Sequence, residues 1–349
     1  MNLPAGTGLA ERYRIIERIG GGGMGDVYRC YDHGLEREVA VKVLAEQSDR
    51  MLQRFLAEAQ AMARLNHPSI VAVYDVGMDD GRSYIIMEYV RGVTIREIDR
   101  GAYTIGRALD IVLRVLGALR YAHEMDVLHR DIKPGNVLIS DDDAVKVTDF
   151  GLARRISDVG NLSQTSEIVG TIAYLPPERF MGKAGDRSGD LYSVGVLLYE
   201  LLTGQLPFTE DAQDLVSTMI AHVNETPRPA RALNPRIPEA LDHIIAKLLD
   251  SDPGRRFAGA QELIEALEAV RGASAADPAW RSRLPLPDVS MQRAGTPLGA
   301  AQMERPSAGA SEYAAALALM QRGMASGRNG REDEAEKFYR EAIAAAKNV

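Results

Sequence analysis

The chain has 349 residues, enough for one two-lobed domain with an appendage or for two domains. Hydrophobic residues make up 46% and charged residues 26%, ordinary for a soluble protein, and a net charge of −8 argues against nucleic acid as a partner. A single cysteine, Cys30, rules out an internal disulfide framework and fits a reducing, cytoplasmic setting. The first residues lack the basic and apolar regions of a signal peptide. No run of about 18 apolar residues occurs, so no membrane span is expected.

Residues 13–20 read as a strand that runs into Gly20-Gly21-Gly22-Gly23-Met24-Gly25-Asp26-Val27. This is a G-x-G-x-x-G-x-V pattern, in which glycine lets backbone N–H groups approach phosphate oxygens. A second strand at 27–31 predicts a hairpin flap, not the strand-to-helix turn of a dinucleotide fold. Val27 gives the flap an apolar underside for a base; a flexible linker is the plainer alternative. Along 37–44, Val39, Val41 and Val43 share one face and Ala40, Lys42 and Leu44 the other. A small residue beside a lysine suits a base next to its phosphates; an edge-strand lysine in solvent is the alternative.

Residues 48–65 are a helix candidate, with Phe55, Ala59, Met62 and Leu65 in one stripe. Glu58 lies one position off it, either paired with Lys42 or facing solvent. Pro68 closes the helix. Strands follow at 70–76 and 82–89, joined by the turn Asp79-Asp80-Gly81. After them, Met87-Glu88-Tyr89-Val90 offers extended backbone to an adenine edge.

A long helix at 105–125, with Leu109, Leu113, Leu116 and Leu119 on one side, delivers the chain into His129-Arg130-Asp131-Ile132-Lys133-Pro134-Gly135-Asn136. Asp131 is a proton acceptor for a hydroxyl, Lys133 a cation for a transferring phosphoryl group, and Asn136 a neutral oxygen ligand. Short strands at 137–139 and 145–147 place Asn136 and Asp149, of Asp149-Phe150-Gly151, at the roots of one hairpin. A base, a cation and two oxygen ligands suit phosphoryl transfer with Mg²⁺.

The polar stretch 149–178, with Ser163, Thr165 and Thr171, is too long for a simple connection. A phosphate added to Ser163 or Thr165 has a partner in Arg130. An apolar helix at 188–203 begins with Asp190, favourable to the helix dipole. Further helices are expected at 211–223, 238–250 and 259–270. Arg256 is either a surface cation or a buried partner for Glu178. Residues 273–310 read as a linker carrying the only tryptophan, Trp280, which is expected to dock on the main domain. Residues 311–349 read as a helical hairpin, either plain or a single tetratricopeptide-like unit.

In this order and spacing the motifs resemble the eukaryotic-type protein kinase family, closest to its bacterial serine/threonine members, over about residues 13–272. The resemblance implies an α+β fold: a small antiparallel-sheet N-lobe with one helix at about 13–89 and a mainly helical C-lobe at about 93–272. It implies ATP with Mg²⁺, or Mn²⁺ in its place, and protein substrates with serine or threonine acceptors. Nucleotide contacts fall to Ile19, Gly20, Gly21, Gly22, Gly23, Met24, Gly25, Val27, Ala40, Lys42, Glu58, Met87, Glu88 and Val90. Asp131 is then the catalytic base and Lys133 the lysine typical of serine/threonine kinases. Asn136 and Asp149 hold the metal, Asp190 braces the catalytic loop, and Glu178 pairs with Arg256. Ser163 and Thr165 are similar to the autophosphorylation pair of bacterial members, which implies a homodimer for transfer in trans.

Three departures stand out. Pro176-Pro177-Glu178 replaces the usual Ala-Pro-Glu, Lys42 and Glu58 are slightly close in sequence, and no membrane segment follows the kinase-like region. A small-molecule phosphotransferase and a scaffold working through 311–349 are the competing readings. The complete set of catalytic positions disfavours the scaffold. Lys133 and the Gly170-Thr171 to Glu178 platform disfavour the small-molecule enzyme.

Overall fold

The structure is a computed structural model. It describes residues 3–22, 25–44, 59–99, 103–150, 172–180, 185–208, 221–223, 225–274, 280 and 282, with scattered positions between 319 and 345. The chain divides into two compact units, Met1–Glu97 with Gly117–Ala153 and Ile98–Leu116 with Arg154–Val349.

The first unit is built on a six-stranded antiparallel sheet. Its strands are β1 (Gly8–Leu9), β2 (Tyr13–Gly22), β3 (Gly25–Asp32), β4 (Arg37–Leu44), β5 (Val73–Asp79) and β6 (Arg82–Glu88), in the spatial order β1-β2-β3-β4-β6-β5. The alternation in β4 works as expected, but both faces are covered. Val39, Val41 and Val43 join Tyr13, Ile15, Tyr28, Cys30, Tyr84 and Ile86 in one core cluster. Ala40 and Lys42 are also buried. Pairing of β2 with β3 runs deeper into the glycine run than expected, down to Gly22 opposite Gly25. Gly25 has φ 139°, and a Cβ there would sit 2.1 Å from the Val43 carbonyl, so only glycine fits. Asp80 and Gly81 both have positive φ (47° and 73°), the geometry of a tight hairpin turn.

β5 begins at Val73, not at 70, and β6 ends at Glu88. The reason is that Ile70 pairs elsewhere, in a parallel bridge to Val147. Val147 N–H donates to Ser69 and Val71 N–H donates to Val147, both at 2.9 Å. Val147 belongs to a second sheet of β7 (Gly92–Thr94), β8 (Val137–Ser140) and β9 (Val145–Val147), in that order.

Helix α1 (Ile105–Glu124) starts at a Thr104 cap, whose Oγ1 accepts from Arg107 N–H at 3.0 Å. The expected single leucine stripe is in fact a broad arc. Ile111, Val112 and Val115 are as fully buried as Leu109, Leu116 and Leu119, whereas Leu113 is only half-buried.

The second unit contains α2 (Pro177–Phe180), α3 (Arg187–Thr203), α4 (Ala230–Leu233), α5 (Glu239–Leu248) and α6 (Ala260–Ser274). Every residue of α3 from Gly189 to Thr203 is buried. Its cap is Asp186, which accepts from Gly189 N–H at 3.1 Å, so Asp190 lies inside the first turn and is not the cap. Gly204, at φ 73°, ends the helix in the left-handed conformation. Trp280 is buried beside Gly106, where an added Cβ would lie 2.8 Å from the indole nitrogen. Of the expected helix at 211–223 only 221–223 are described, and they are helical. The 273–310 and 311–349 readings fall mostly outside the described residues. Within the latter, Arg322 lies over the Phe338 ring at 4.6 Å.

Candidate active site

The chemistry-bearing residues of the first unit converge from three sources: β4, the loop after α1, and the stretch that follows β9. His129, fully buried, organises the loop. Asp131 N–H donates to its Nδ1 at 3.2 Å, so the ring proton sits on Nε2, which donates to the Thr148 carbonyl at 3.0 Å. The ring also packs against Phe150, with centroids 4.5 Å apart. His129 therefore ties the backbone of Asp131 to the residues flanking Asp149. The sequence pattern assigns His129 no role; its only signal is a polar residue closing the apolar pair Val127-Leu128.

Asn136 sits in a single 3₁₀ turn, Pro134–Asn136, between the loop and β8. Its Nδ2 donates to the Asp131 carbonyl at 2.8 Å and to Asp131 Oδ2 at 2.9 Å. Lys133 Nζ lies 2.8 Å from the same Oδ2. Thr148 N–H donates to the Asn136 carbonyl at 3.0 Å, which locks the loop to the stretch after β9. Both side-chain contacts of Asp131 fall on one oxygen, so the other takes none among the described residues. The amide nitrogen of Asn136 is fully committed to Asp131, so its amide oxygen is the atom that could hold a cation.

Lys42, buried in β4, donates to Asp149 Oδ1 at 2.7 Å. Burial alone would raise the Asp149 carboxyl. The charge and hydrogen bond of Lys42, with smaller contributions from His129 and Lys133, outweigh burial and hold it below the usual carboxylate range. Arg130 (φ 65°) and Asp149 (φ 62°) both adopt left-handed backbone, which costs non-glycine residues on the order of 1–3 kcal/mol each. The network around His129 and Asn136 is what holds the two residues there.

Around this centre, Ala40 pairs with Met87 and Lys42 with Ile85 across β4 and β6. An apolar pocket lined by Met62, Leu65, Ile70, Ile85, Met87 and Phe150 ends at Asp149. Ile19 is 45% exposed near the end of β2, and Val27 is half-buried on β3. Arg18 and Asp26 form an exposed ion pair at 2.7 Å across the glycine hairpin. The Glu88 carboxylate is paired with Lys146 at 2.8 Å. Cys30 is fully buried and its thiol is pushed up to about 12 by burial, so it is a packing residue.

In the second unit Arg256 donates to both oxygens of Glu178, at 2.9 and 2.8 Å, and both side chains are buried. Asp190 is 1% exposed. Tyr192 Oη lies 2.7 Å from Nδ1 of buried His222, a contact no sequence pattern announced. Gly23, Met24, Glu58, Ser163, Thr165 and Thr171 lie outside the described residues.

A family model described as "Protein kinase domain" matches residues 13–267. Serine/threonine-protein kinase PknB of Mycobacterium tuberculosis is 43% identical over 265 residues, 73% of this chain and 42% of PknB. Serine/threonine-protein kinase PrkC of Bacillus subtilis is 38% identical over 263 residues, 74% of this chain and 40% of PrkC. The chain thus spans less than half the length of these relatives. Among solved structures, the Mycobacterium tuberculosis PknI kinase domain superposes with a TM-score of 0.61 at 28% identity, covering 78% of this chain and 100% of that one.

Proposed function

The chain belongs to the protein kinase family, in the bacterial serine/threonine branch, and from that premise we propose that it transfers the γ-phosphoryl group of ATP to serine and threonine hydroxyls of proteins, its own 149–178 segment included. The observation that carries this reading is the shared carboxylate contact of Asn136 and Lys133 on Asp131, set beside the Lys42–Asp149 pair in one compact unit.

The donor set fits a hard divalent cation. Asn136 offers an amide oxygen and Asp149 a carboxylate oxygen beyond the one held by Lys42. No cluster of three or more His, Cys, Asp or Glu exists among the described residues. Two protein oxygens suit Mg²⁺, or Mn²⁺, which completes its shell with phosphates and water. When bound, the cation neutralises charge on the transferring group.

This chain's own residues do the rest. Asp131 orients the acceptor hydroxyl through its open oxygen and takes its proton as the new oxygen–phosphorus bond forms and the β–γ bridge breaks, leaving ADP. Lys133 neutralises charge on the transferred group, and Lys42 does so on the α- and β-phosphates. Glu58 is the second partner proposed for Lys42, in the nucleotide-bound state. Gly20 to Gly25 supply backbone N–H groups above the phosphates. Ile19, Val27, Ala40 and Met87 sandwich the base, whose edge meets the backbone of Glu88 and Val90. Asp190 braces the catalytic loop, and the Glu178–Arg256 pair supports the peptide platform.

Phosphate on Ser163 or Thr165 pairs with Arg130 and orders the 149–178 segment. Transfer in trans calls for a second copy of the chain. The 311–349 region recruits a protein partner, and nucleic acid has no part in the reading. No helix among the described residues is long and apolar enough to cross a membrane. A cytoplasmic site of action belongs to the same reading. Mass spectrometry of protein incubated with Mg·ATP tests it. Phosphate on Ser163, Thr165 or Thr171, absent in Lys42→Met, is expected; transfer to small molecules but to no protein overturns it.

A further inference from the structure

Glu88 closes β6 in an unusual way. The β5–β6 register, continued one step beyond Val73 opposite Met87, pairs Ala72 with Glu88. Half of that pair is made, since Glu88 N–H donates to the Ala72 carbonyl at 2.8 Å. The other half is diverted. Ala72 N–H donates to the Glu88 carboxylate at 3.2 Å instead of to the Glu88 main-chain carbonyl, the acceptor that completes a ladder pair. The carboxylate thus takes the place of its own carbonyl and leaves that carbonyl open to a ligand's donor.

What keeps the carboxylate there is Lys146. Its Nζ lies 2.8 and 2.9 Å from the two carboxylate oxygens, and the side chains are only 25% (Glu88) and 18% (Lys146) exposed. Lys146 is the middle residue of β9, between buried Val145 and Val147, so strand alternation turns it to the other face. Three residues later comes Asp149. Residues 69–72 run between these parts. Ser69 and Val71 bond to Val147, and Ala72 bonds to Glu88. The Lys146–Glu88 pair closes the same circuit through side chains.

We infer that Lys146 is a positioning residue for the nucleotide base. It holds the Glu88 carboxylate on Ala72 N–H, keeps the Glu88 carbonyl open, and registers that carbonyl against the strand leading to Asp149. The inference rests on the nucleotide site proposed above. An adenine presents its 6-amino donor to such a carbonyl. A guanine presents an oxygen there, acceptor against acceptor, and is disfavoured. Without Lys146 the carboxylate is released, Ala72 N–H returns to the carbonyl, and both affinity for ATP and preference over GTP fall.

The test is steady-state ADP or GDP release by the full chain with a protein acceptor, with ATP and GTP varied. Lys146→Met is expected to raise KM for ATP about threefold to tenfold with kcat within twofold, and to lower the ATP-to-GTP preference by a similar factor. Lys146→Arg restores both, and in a Glu88→Gln background Lys146→Met adds little. If Lys146→Met does not fold, Lys146→Gln read against Lys146→Arg replaces it. An unchanged KM and unchanged base preference overturn the inference, as does a fall in kcat that Lys146→Arg does not rescue. A wild-type chain that transfers no phosphoryl group instead sinks the kinase reading itself, so the two failures are told apart.

Discussion

Two long-range ion pairs, one in each unit, show how differently a protein uses buried charge. Arg256 meets Glu178 through two parallel hydrogen bonds. It also donates to the Asp250 carbonyl at 2.8 Å and to Ser188 Oγ at 3.2 Å, and it lies over the Tyr192 ring at 4.8 Å. That pair has its valences filled. Lys42 meets Asp149 through one contact, with the aspartate side chain 27% exposed, on left-handed backbone, and with an oxygen to spare. The closed pair suits a structural task. The open one suits a ligand, because a group that must take up a cation or phosphate has to keep coordination in reserve.

The comparison is broken most readily at the closed pair. Arg256→Met leaves Glu178 buried and unpaired, at a cost of about 3–5 kcal/mol. Calorimetry is expected to find a melting point lower by about 10 °C, with whatever folded fraction remains still able to bind nucleotide. A shift of a degree or two would show that the pair is not the structural tie described here. At the open pair the balance reverses. Lys42→Met is expected to lower kcat/KM for ATP by about 10²–10³ while stability moves by about 1 kcal/mol or less, since Asp149 remains partly hydrated. A large loss of stability there, measured by urea titration, would erase the distinction.

Acid sharpens the contrast further. Burial pushes His222 down to about 3, among Phe180, Tyr192 and Phe208, while the unfolded chain titrates near 6.5. Between those values the unfolded state binds a proton that the folded state refuses. The stability contribution is complete above about pH 6.5 and declines as pH falls, by up to about 1.4 kcal/mol per pH unit. Lys42 holds the Asp149 carboxyl below its usual range against the effect of burial, so it stays ionised down to about pH 4.5. Urea midpoints between pH 7.5 and 4.5 are expected to fall more steeply for the wild type than for His222→Gln.

Much of this was legible in the sequence, for reasons that differ from element to element. β4 was readable because Val39, Val41 and Val43 alternate cleanly. β8 and β9 were readable because short apolar runs flank a polar turn. β1 and β7 were not, since two or three residues containing glycine carry no periodicity. The start of β5 differs from the expected residue 70 because Ile70 and Val71 continue its apolar run but pair with β9 instead. Leu113 shares a side with Leu109 and Leu116 in the sequence pattern yet is only half-buried, because α1 buries a broad arc that takes in Ile111, Val112 and Val115 instead. At the candidate site, residue types and spacing announced Lys42, Asp131, Asn136 and Asp149. The supports did not show. His129 acts through both ring nitrogens, and Lys146 reaches Glu88 across 58 positions, relations that exist only after folding.

The central claim is that the open oxygen of Asp131 takes the proton of the acceptor hydroxyl. The phosphoryl-transfer rate of Asp131→Asn at saturating Mg·ATP tests it most directly. A fall of about 10²–10⁴ in kcat, with the Kd for Mg·ATP within threefold of the wild type, is the predicted result. Turnover equal to that of the wild type would contradict it.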